Sequence, residues 1–281
     1  MRIGVIGGTG VLGRYLLPRL AERRHDVRVV VRRGSDTRRL RPLGVEIVEG
    51  DILDASSLRT AVATCDTVIH AATAIPKAGA PVDWSVNDRI RREGTANLIA
   101  ACRSERVENY IQQSIAHLVA NGTQQLLDET APLHPSVVTQ SAVEMEHLVE
   151  KCPLRWTILR GGIFYGPGTG QEAVWRAMAR NAQLRIPLDG SAYISLVHVA
   201  DYARAIVDAV EAPSVGATFN VVDDEPVSYK DLFHHIAAVE TAPAPGDGAP
   251  QVWASCRVSN RRFKEAFGWQ PCYATYRSGW I

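Results

Sequence analysis

The sequence predicts an α/β chain built on a doubly wound parallel sheet, with a small α+β lobe at its carboxyl end. Three observations predict it. Over the first 160 residues short apolar runs alternate with helical stretches, an order that demands a parallel sheet covered on both faces. The run Ile3-Gly4-Val5-Ile6 is short and apolar, as expected of a strand buried on both faces, and Val27-Arg28-Val29-Val30-Val31 reads as a second buried strand. Beyond residue 160 the strands and helices become shorter and the alternation lapses. The expected division is therefore 1–160 and 161–281, packed as one integrated unit.

The first strand, around Ile3–Ile6, runs into Gly7-Gly8-Thr9-Gly10-Val11-Leu12-Gly13. Gly7, Gly10 and Gly13 recur at a spacing of three, and Gly8, Gly10 and Gly13 also satisfy G-x-G-x-x-G. Such glycines make the tight turn, admit a pyrophosphate to the backbone, and let the next helix pack on the strand. That helix, about Val11 to Arg24, turns its N-terminal N–H groups and positive dipole end toward the phosphates. Strand, glycine turn and helix together predict a dinucleotide-binding Rossmann domain. The second strand ends in Arg32-Arg33, where an NAD site would place a carboxylate for the ribose hydroxyls. Two guanidinium groups suit a 2′-phosphate instead, so NADP(H) is preferred over NAD(H).

Val45–Glu49 is the third strand, followed by Gly50-Asp51-Ile52-Leu53-Asp54. A carboxylate there can accept from an adenine amino group, and Asp51 or Asp54 can also cap the next helix. Thr67–His70 is the fourth strand, and its small successors Ala71-Ala72-Thr73 would let backbone lie close to a cofactor. A helix over Trp84–Ser104 turns Val86, Ile90, Leu98, Ile99 and Cys102 inward. Gly94 in its middle costs about 1 kcal/mol relative to alanine, which close packing on a neighbour would explain. Strand five, Asn109–Gln113, ends at Ser114; a helix over Val138–Lys151 and a sixth strand, Arg155–Leu159, follow.

In the last third, Gly161–Gly168 has the composition of a long turn. A helix is expected at Glu172–Arg180, with strands at Leu184–Ile186 and Tyr193–Val197. A helix at Ala200–Ala209 and a strand at Thr218–Val222 come next, and Ser228 then caps a helix reaching Ala238. Thr241–Pro250, with Ala, Pro or Gly in eight of ten positions, is linker-like.

A net charge of +1 argues against nucleic acid or an acidic membrane as the main partner. Five cysteines, odd in number and without a C-x-x-C pair, suit reduced thiols in a cytoplasmic protein with no membrane span. The eight histidines show no metal-ligand spacing, and His234-His235 suits the solvent face of a helix.

Read in order, the glycine turn, Gly50-Asp51-Ile52-Leu53-Asp54, His70-Ala71-Ala72, Gly94-Thr95-Ala96-Asn97-Leu98, Gly166-Pro167-Gly168, Val197-His198-Val199-Ala200-Asp201, Phe219-Asn220-Val221 and Phe267-Gly268-Trp269-Gln270-Pro271 resemble the extended and atypical short-chain dehydrogenase/reductase superfamily, of the NAD-dependent epimerase/dehydratase type. The resemblance covers nearly the whole chain. It implies that Gly7, Gly10 and Gly13 hold the pyrophosphate; Thr9, Val11, Leu12, Arg32 and Arg33 complete the expected cofactor-binding residues of this half. It also implies that Asp51 and Ile52 border adenine, that Ala71 and Ala72 lie under the ribose–nicotinamide half, and that Gly162 and Phe164 pass the nicotinamide. The carboxyl-terminal lobe would cover a small-molecule substrate. Two helices beside strand five, 84–104 and 138–151, would serve a homodimer, with outer faces carrying Arg89, Arg91 and Arg92 or Glu144 and Glu150.

One departure concerns the chemistry. The family's Tyr-x-x-x-Lys unit is absent: the four lysines are Lys77, Lys151, Lys230 and Lys264, preceded four residues earlier by Thr73, His147, Pro226 and Asn260. Aligned on Glu146-His147-Leu148-Val149, the tyrosine slot holds Val138 and the lysine slot Ala142. Ser114 survives. The candidate proton donors are Ser114, Tyr165 as a phenol after the nicotinamide loop, and His117 as an imidazole acting near neutral pH. Asp128, Glu129 and His134 lie in the adjoining loop, and His198 is structural. The expected function is an NADP(H)-dependent oxidoreductase acting on a small carbonyl, enone or quinone-like metabolite. The alternatives are an epimerase, dehydratase or cyclase on the same fold, or a non-catalytic NADP-binding sensor.

Overall fold

The computed structural model describes residues 1–76, 83–212, 216–250 and 253–280. In chain order it forms β1 (Arg2–Ile6), α1 (Val11–Glu22), β2 (Asp26–Val31), β3 (Glu46–Glu49), α2 (Ala55–Val62), β4 (Thr67–His70), α3 (Ser85–Arg89), a π-helical turn (Ile90–Gly94), α4 (Thr95–Ser104), β5 (Asn109–Ile115), α5 (Gln140–Glu150) and β6 (Arg155–Gly161). There follow β7 (Ile163–Tyr165), α6 (Gly170–Arg180), β8 (Arg185–Pro187), β9 (Tyr193–Ile194), β10 (Leu196–His198), α7 (Val199–Glu211), β11 (Ala217–Val221), β12 (Val227–Ser228), α8 (Tyr229–Val239), β13 (Gly246–Ala249), α9 (Arg261–Phe267) and α10 (Tyr276–Gly279).

Seven strands form one sheet in the order β3-β2-β1-β4-β5-β6-β11, the doubly wound α/β arrangement that the sequence predicts. Ile3 of β1 faces Val27 on one side and Thr67 on the other, both in parallel register. The chain therefore winds outward through β2 and β3, then crosses back to β4, leaving a switch point between β1 and β4. Ligands of open α/β sheets bind at the carboxyl ends of strands at such a point. Helix α1 buries Leu12, Leu16, Leu17 and Leu20 on one stripe, each fully buried leucine stabilising the fold by about 2 kcal/mol over exposure.

The chain divides into two compact units that interleave along the sequence. The first comprises Met1–Ser114, Ser136–Leu159 and Ala203–Thr218; the second comprises Ile115–Pro135, Arg160–Tyr202 and Phe219–Ile281. In the first, Gly94 lets its helix approach Ile52, since an added Cβ would lie 3.0 Å from Ile52 Cγ1. Two expectations for this helix fail. Val86 is 44% exposed rather than inward, and Arg91, expected on an outer face, is only 8% exposed. The π-turn adds a residue to the helical period between them, which rotates the stripe that a regular 3.6-residue count assigns.

The second unit packs Tyr165, Trp175, Phe233, Ile194 and Trp280 into its own core. Two segments here differ from the sequence reading. Within Gly161–Gly168, expected as a turn, β7 pairs in parallel with β10, Ile163 facing Leu196. Within the linker-like Thr241–Pro250, β13 pairs in parallel with β8, and Gly246 N–H donates to Leu184 O at 3.0 Å. Both strands are short and lie in glycine-bearing segments. Their backbone hydrogen bonds need no apolar side-chain pattern, so periodicity could not reveal them. Ser228 caps α8 as expected, its Oγ accepting from Asp231 N–H at 3.0 Å.

Candidate cofactor cradle and active site

In the first unit the glycine turn lies at the switch point. Gly7 has φ +96°, a conformation that side-chain-bearing residues rarely adopt, and a Cβ there would lie 2.6 Å from the Ala71 carbonyl. Ala71 N–H donates to Ile6 O at 2.9 Å, so the turn after β1 and Ala71-Ala72 after β4 form one continuous backbone surface. Gly13 is equally constrained: a Cβ would sit 2.0 Å from Gly8 O, so only glycine lets α1 start this close to the turn. Gly10 caps α1 without any side-chain hydrogen bond, and the first turn holds no acidic residue. The helix start beside exposed Thr9 and Gly10 is thus left without a capping side chain, as anion recognition by its N–H groups requires. Val11 is half-buried and Leu12 buried, anchoring the helix start.

A cleft of about 710 Å³ lies at the ends of β2 and β3, lined by Arg32, Arg33, Gly34, Ser35, Glu49, Gly50, Asp51, Asp54 and Ser57. Arg33 pairs with Glu49 at 3.4 Å with both groups exposed, a contact worth little in water. The Arg32 carbonyl accepts from Ser35 N–H at 3.0 Å, while its guanidinium has no hydrogen-bond or salt-bridge partner among the described residues. Asp51 Oδ1 accepts from Leu53 N–H at 2.9 Å, and Ser57 Oγ accepts from Asp51 N–H at 3.0 Å. Asp54 caps α2, its Oδ1 accepting from Ser56 N–H at 3.0 Å. Ile52 is buried beneath this turn. Glycines that a Cβ would block and an uncapped helix start fit a dinucleotide.

Ser114 ends the first unit's β5 segment and is 3% exposed. Its Oγ donates to Glu146 Oε1 at 2.6 Å. Glu146, on α5, is itself 1% exposed. Val138, aligned with the tyrosine slot, falls in the turn before α5, while Ala142 lies on the buried face of that helix. Arg91 donates to Val138 O at 3.2 Å and to Ser141 Oγ at 3.1 Å, and Ser141 Oγ donates to Asp88 Oδ1 at 2.6 Å. Ser114 thus shares one unit with the glycine turn and with Ala71 and Ala72.

The second unit holds the remaining candidates. Tyr165 is 0% exposed; its hydroxyl donates to Asp223 Oδ2 at 3.1 Å and also lies 3.3 Å from Thr275 O. Burial, then the neighbouring Asp223 charge, pushes its phenol far above the ordinary value near 10. Burial likewise raises the Asp223 carboxyl well above the carboxylate range. His117 is buried edge-on against Trp253 at 5.9 Å, with no hydrogen bond to its Nε2. Burial pushes its pKa down to about 4, so at neutral pH it is an uncharged imidazole. His198 Nδ1 accepts from Ala200 N–H at 3.2 Å while its ring stacks on Tyr273 at 3.8 Å. Glu129 Oε1 accepts from Asn220 N–H at 2.7 Å. Gly162 is buried where a Cβ would lie 2.6 Å from Ser195 O, and Phe164 tilts against Tyr202 at 4.8 Å.

Glu146, the partner of Ser114, was not singled out in the sequence, although its burial leaves a signal there. Ala142, Met145 and Val149 mark the inward stripe of α5, and Glu146 falls on it, a carboxyl among apolar positions. Among the described residues no group of three or more His, Cys, Asp or Glu could hold a metal, and no helix is long and apolar enough to cross a membrane.

Comparison with known proteins adds the family. A model of the NAD dependent epimerase/dehydratase family matches residues 3–222. The chain is 32% identical over 307 residues to the 3-diazoavenalumate denitrifying reductase of Streptomyces sp, covering 99% of each chain. It is 30% identical over 259 residues to the 2-alkyl-3-oxoalkanoate reductase of Stenotrophomonas maltophilia, covering 86% of this chain and 77% of that one. The UDP-glucose 4-epimerase of Thermus thermophilus, solved with NAD, superposes with a TM-score of 0.82 at 23% identity, over 99% of this chain and 96% of the other. That likeness is one of fold.

Proposed function

We propose, on the premise that this chain is an enzyme belonging to the NAD dependent epimerase/dehydratase family, that it is an NADP(H)-dependent oxidoreductase acting on a small carbonyl or conjugated metabolite. The observation that carries the reading is the glycine cradle after β1 together with a cleft at the ends of β2 and β3 that Arg32 helps line. Gly7, Thr9, Gly10, Val11, Leu12 and Gly13 would hold the pyrophosphate, and Arg32 with Arg33 the adenosine phosphate. Asp51 and Ile52 would flank the adenine, Ala71 and Ala72 the ribose, and Gly162 and Phe164 the nicotinamide. When bound, the nicotinamide would supply or accept a hydride, the chemistry that the cofactor brings to any such fold. Ser114 would hydrogen-bond the substrate oxygen. Tyr165 spends its hydroxyl inside the protein and His117 is uncharged at neutral pH, which leaves Ser114 as the foremost of the three candidates. Two named reductases among the relatives support the oxidoreductase class. The protein would work in the cytoplasm, and a homodimer would show as a doubled mass by light scattering.

The test is calorimetric titration with NADPH, NADP, NADH and NAD, repeated with Arg32→Ala. The expected result is micromolar NADPH binding weakened about 10- to 100-fold by the substitution, the scale of a lost charged hydrogen bond. Equal affinity for NADH and NADPH, or an Arg32→Ala protein that binds NADPH unchanged, would refute the phosphate assignment.

The full-length match to a denitrifying reductase favours a second reading, in which the acceptor is a diazo compound. There the acceptor would be an aryl diazonium cation: its ring carbon would take a hydride from the reduced nicotinamide, the C–N bond would break, and dinitrogen would leave, with the oxidised nicotinamide carrying the positive charge. No oxygen needs a proton, which suits a chain without the tyrosine–lysine unit. NADPH consumption with a 3-oxo ester, an ortho-quinone and an aryl diazonium salt separates the readings. Ser114→Ala should impair the first two and spare the third.

A further inference from the structure

We propose that Glu49 is a specificity-determining residue of the cleft at the ends of β2 and β3: its carboxylate competes with an adenosine phosphate for Arg33 and so holds down the preference for NADP(H) over NAD(H). The proposal rests on the reading above that this cleft takes the phosphate. The backbone brings the groups together. Strands β2 and β3 run in parallel with Val31 facing Glu49, and Gly50 N–H donates to Val31 O at 2.9 Å, so the pairing holds to the end of both strands. Arg32 and Arg33 therefore leave β2 beside the last residue of β3, and all three line the same cleft. Arg33 Nε lies 3.4 Å from Glu49 Oε1.

Among the described residues lining the cleft are two guanidinium groups and three carboxylates, those of Glu49, Asp51 and Asp54. Two of the carboxylates are engaged by their own turns. Asp51 Oδ1 accepts from Leu53 N–H, and Asp54 Oδ1 accepts from Ser56 N–H and Ser56 Oγ. Glu49 accepts no hydrogen bond among the described residues, and Arg33 is its ion-pair partner. The other glutamate of β3 supplies a contrast. Glu46 Oε2 accepts from Arg28 Nε at 2.8 Å, and that guanidinium, on a side chain only 9% exposed, also donates to Ala63 O at 2.7 Å, which makes the pair part of the sheet's packing. Arg33 and Glu49 are instead 92% and 62% exposed. An ion pair open to water is weak enough for a stronger anion to displace. A phosphate monoester carries about −1.5 to −2 charge at pH 7 and three acceptor oxygens, so it takes Arg33 from a carboxylate. Glu49, still held at the end of β3, then faces the phosphate as a like charge. An unphosphorylated ribose meets neither cost, because its hydroxyl can donate to the same carboxylate.

The test is calorimetric titration of the full chain with NADPH and NADH at about 0.05 and about 0.5 M salt, on the parent, Glu49→Gln, Arg33→Gln, the double variant and Arg32→Ala. Glu49→Gln should bind NADPH about three- to tenfold more tightly, while NADH changes by less than about twofold. The gain should fall below about twofold at the higher salt, where exposed charges are screened. It should also be smaller in the Arg33→Gln background, which has no guanidinium there to compete for. An unchanged ratio of NADPH to NADH affinity in Glu49→Gln overturns the proposal. A gain that is equal at both salts, or as large without Arg33 as with it, overturns it too. The cofactor reading fails in a different way. If Arg32→Ala weakens neither dinucleotide, no phosphate reaches this cleft, and the role of Glu49 falls with that reading. If Arg32→Ala weakens NADPH alone while Glu49→Gln alters nothing, the phosphate site stands and only the assignment to Glu49 is overturned. Should Glu49→Gln not fold, Glu49→Ala is judged by the same limits.

Discussion

Replacing His117 by phenylalanine tests the electrostatics of the second unit. Phenylalanine keeps an aromatic edge against Trp253, 5.9 Å away at 68°, and removes the titrating nitrogens. Burial lowers the His117 pKa to about 4, whereas the unfolded chain binds the proton with a pKa near 6.5. Between those values the unfolded state carries more protons than the folded one, so stability falls as the pH falls. The stabilisation is complete above about pH 6.5 and is lost on the way down through about pH 4, amounting to about 3 kcal/mol in all. About 2 kcal/mol of it is gone by pH 5. His70, lowered to about 4 by burial, acts in the same sense, while Glu129 and Asp223, raised by burial, act in the opposite one. The difference between parent and variant isolates His117. Urea unfolding at about pH 7.5, 6 and 5 should show His117→Phe gaining about 2 kcal/mol on the parent across that range. Parallel pH curves for the two proteins would refute the placement of an uncharged imidazole in this core.

Gly13→Ala should all but abolish NADPH binding and lower stability by about 1–3 kcal/mol, because its Cβ would meet Gly8 O at 2.0 Å. Calorimetry and a thermal melt read both effects, and unchanged values would contradict the close approach of α1 to the turn. Ser228→Ala should cost about 1 kcal/mol by removing the cap on Asp231 N–H, and an unaltered melting temperature would show the cap to be idle.

The nucleotide half was legible because its constraints are local. A turn at φ +96° that touches Ala71, and a helix start that touches Gly8, admit glycine alone, so the sequence displays both directly. Cys102 and Leu98 announced the inward face of α4 for the same reason: periodicity survives wherever a helix is regular. Val86 and Arg91 were misplaced because a π-turn interrupts their helix, and its extra residue leaves no mark in composition. Strands β7 and β13 escaped because three or four residues paired by backbone alone carry no side-chain pattern. The second unit's polar core was opaque for a further reason. Tyr165 and Asp223 are 58 residues apart, and nothing in either neighbourhood says that a phenol and a carboxyl will share a hydrogen bond.

The two positions that the sequence alignment sets against the family's tyrosine and lysine, Val138 and Ala142, lie just before α5 and in its first turn. Ala142 is fully buried among the apolar side chains of the inward face of α5. The guanidinium of Arg91 holds the Val138 carbonyl and Ser141 Oγ at the start of α5, and Asp88 accepts from the same serine. That cation is committed to fixing backbone, and burial lowers its pKa against the help of Asp88, so it is in no position to tune a proton donor. One turn farther along, Glu146 keeps a carboxyl in an interior that otherwise favours apolar side chains.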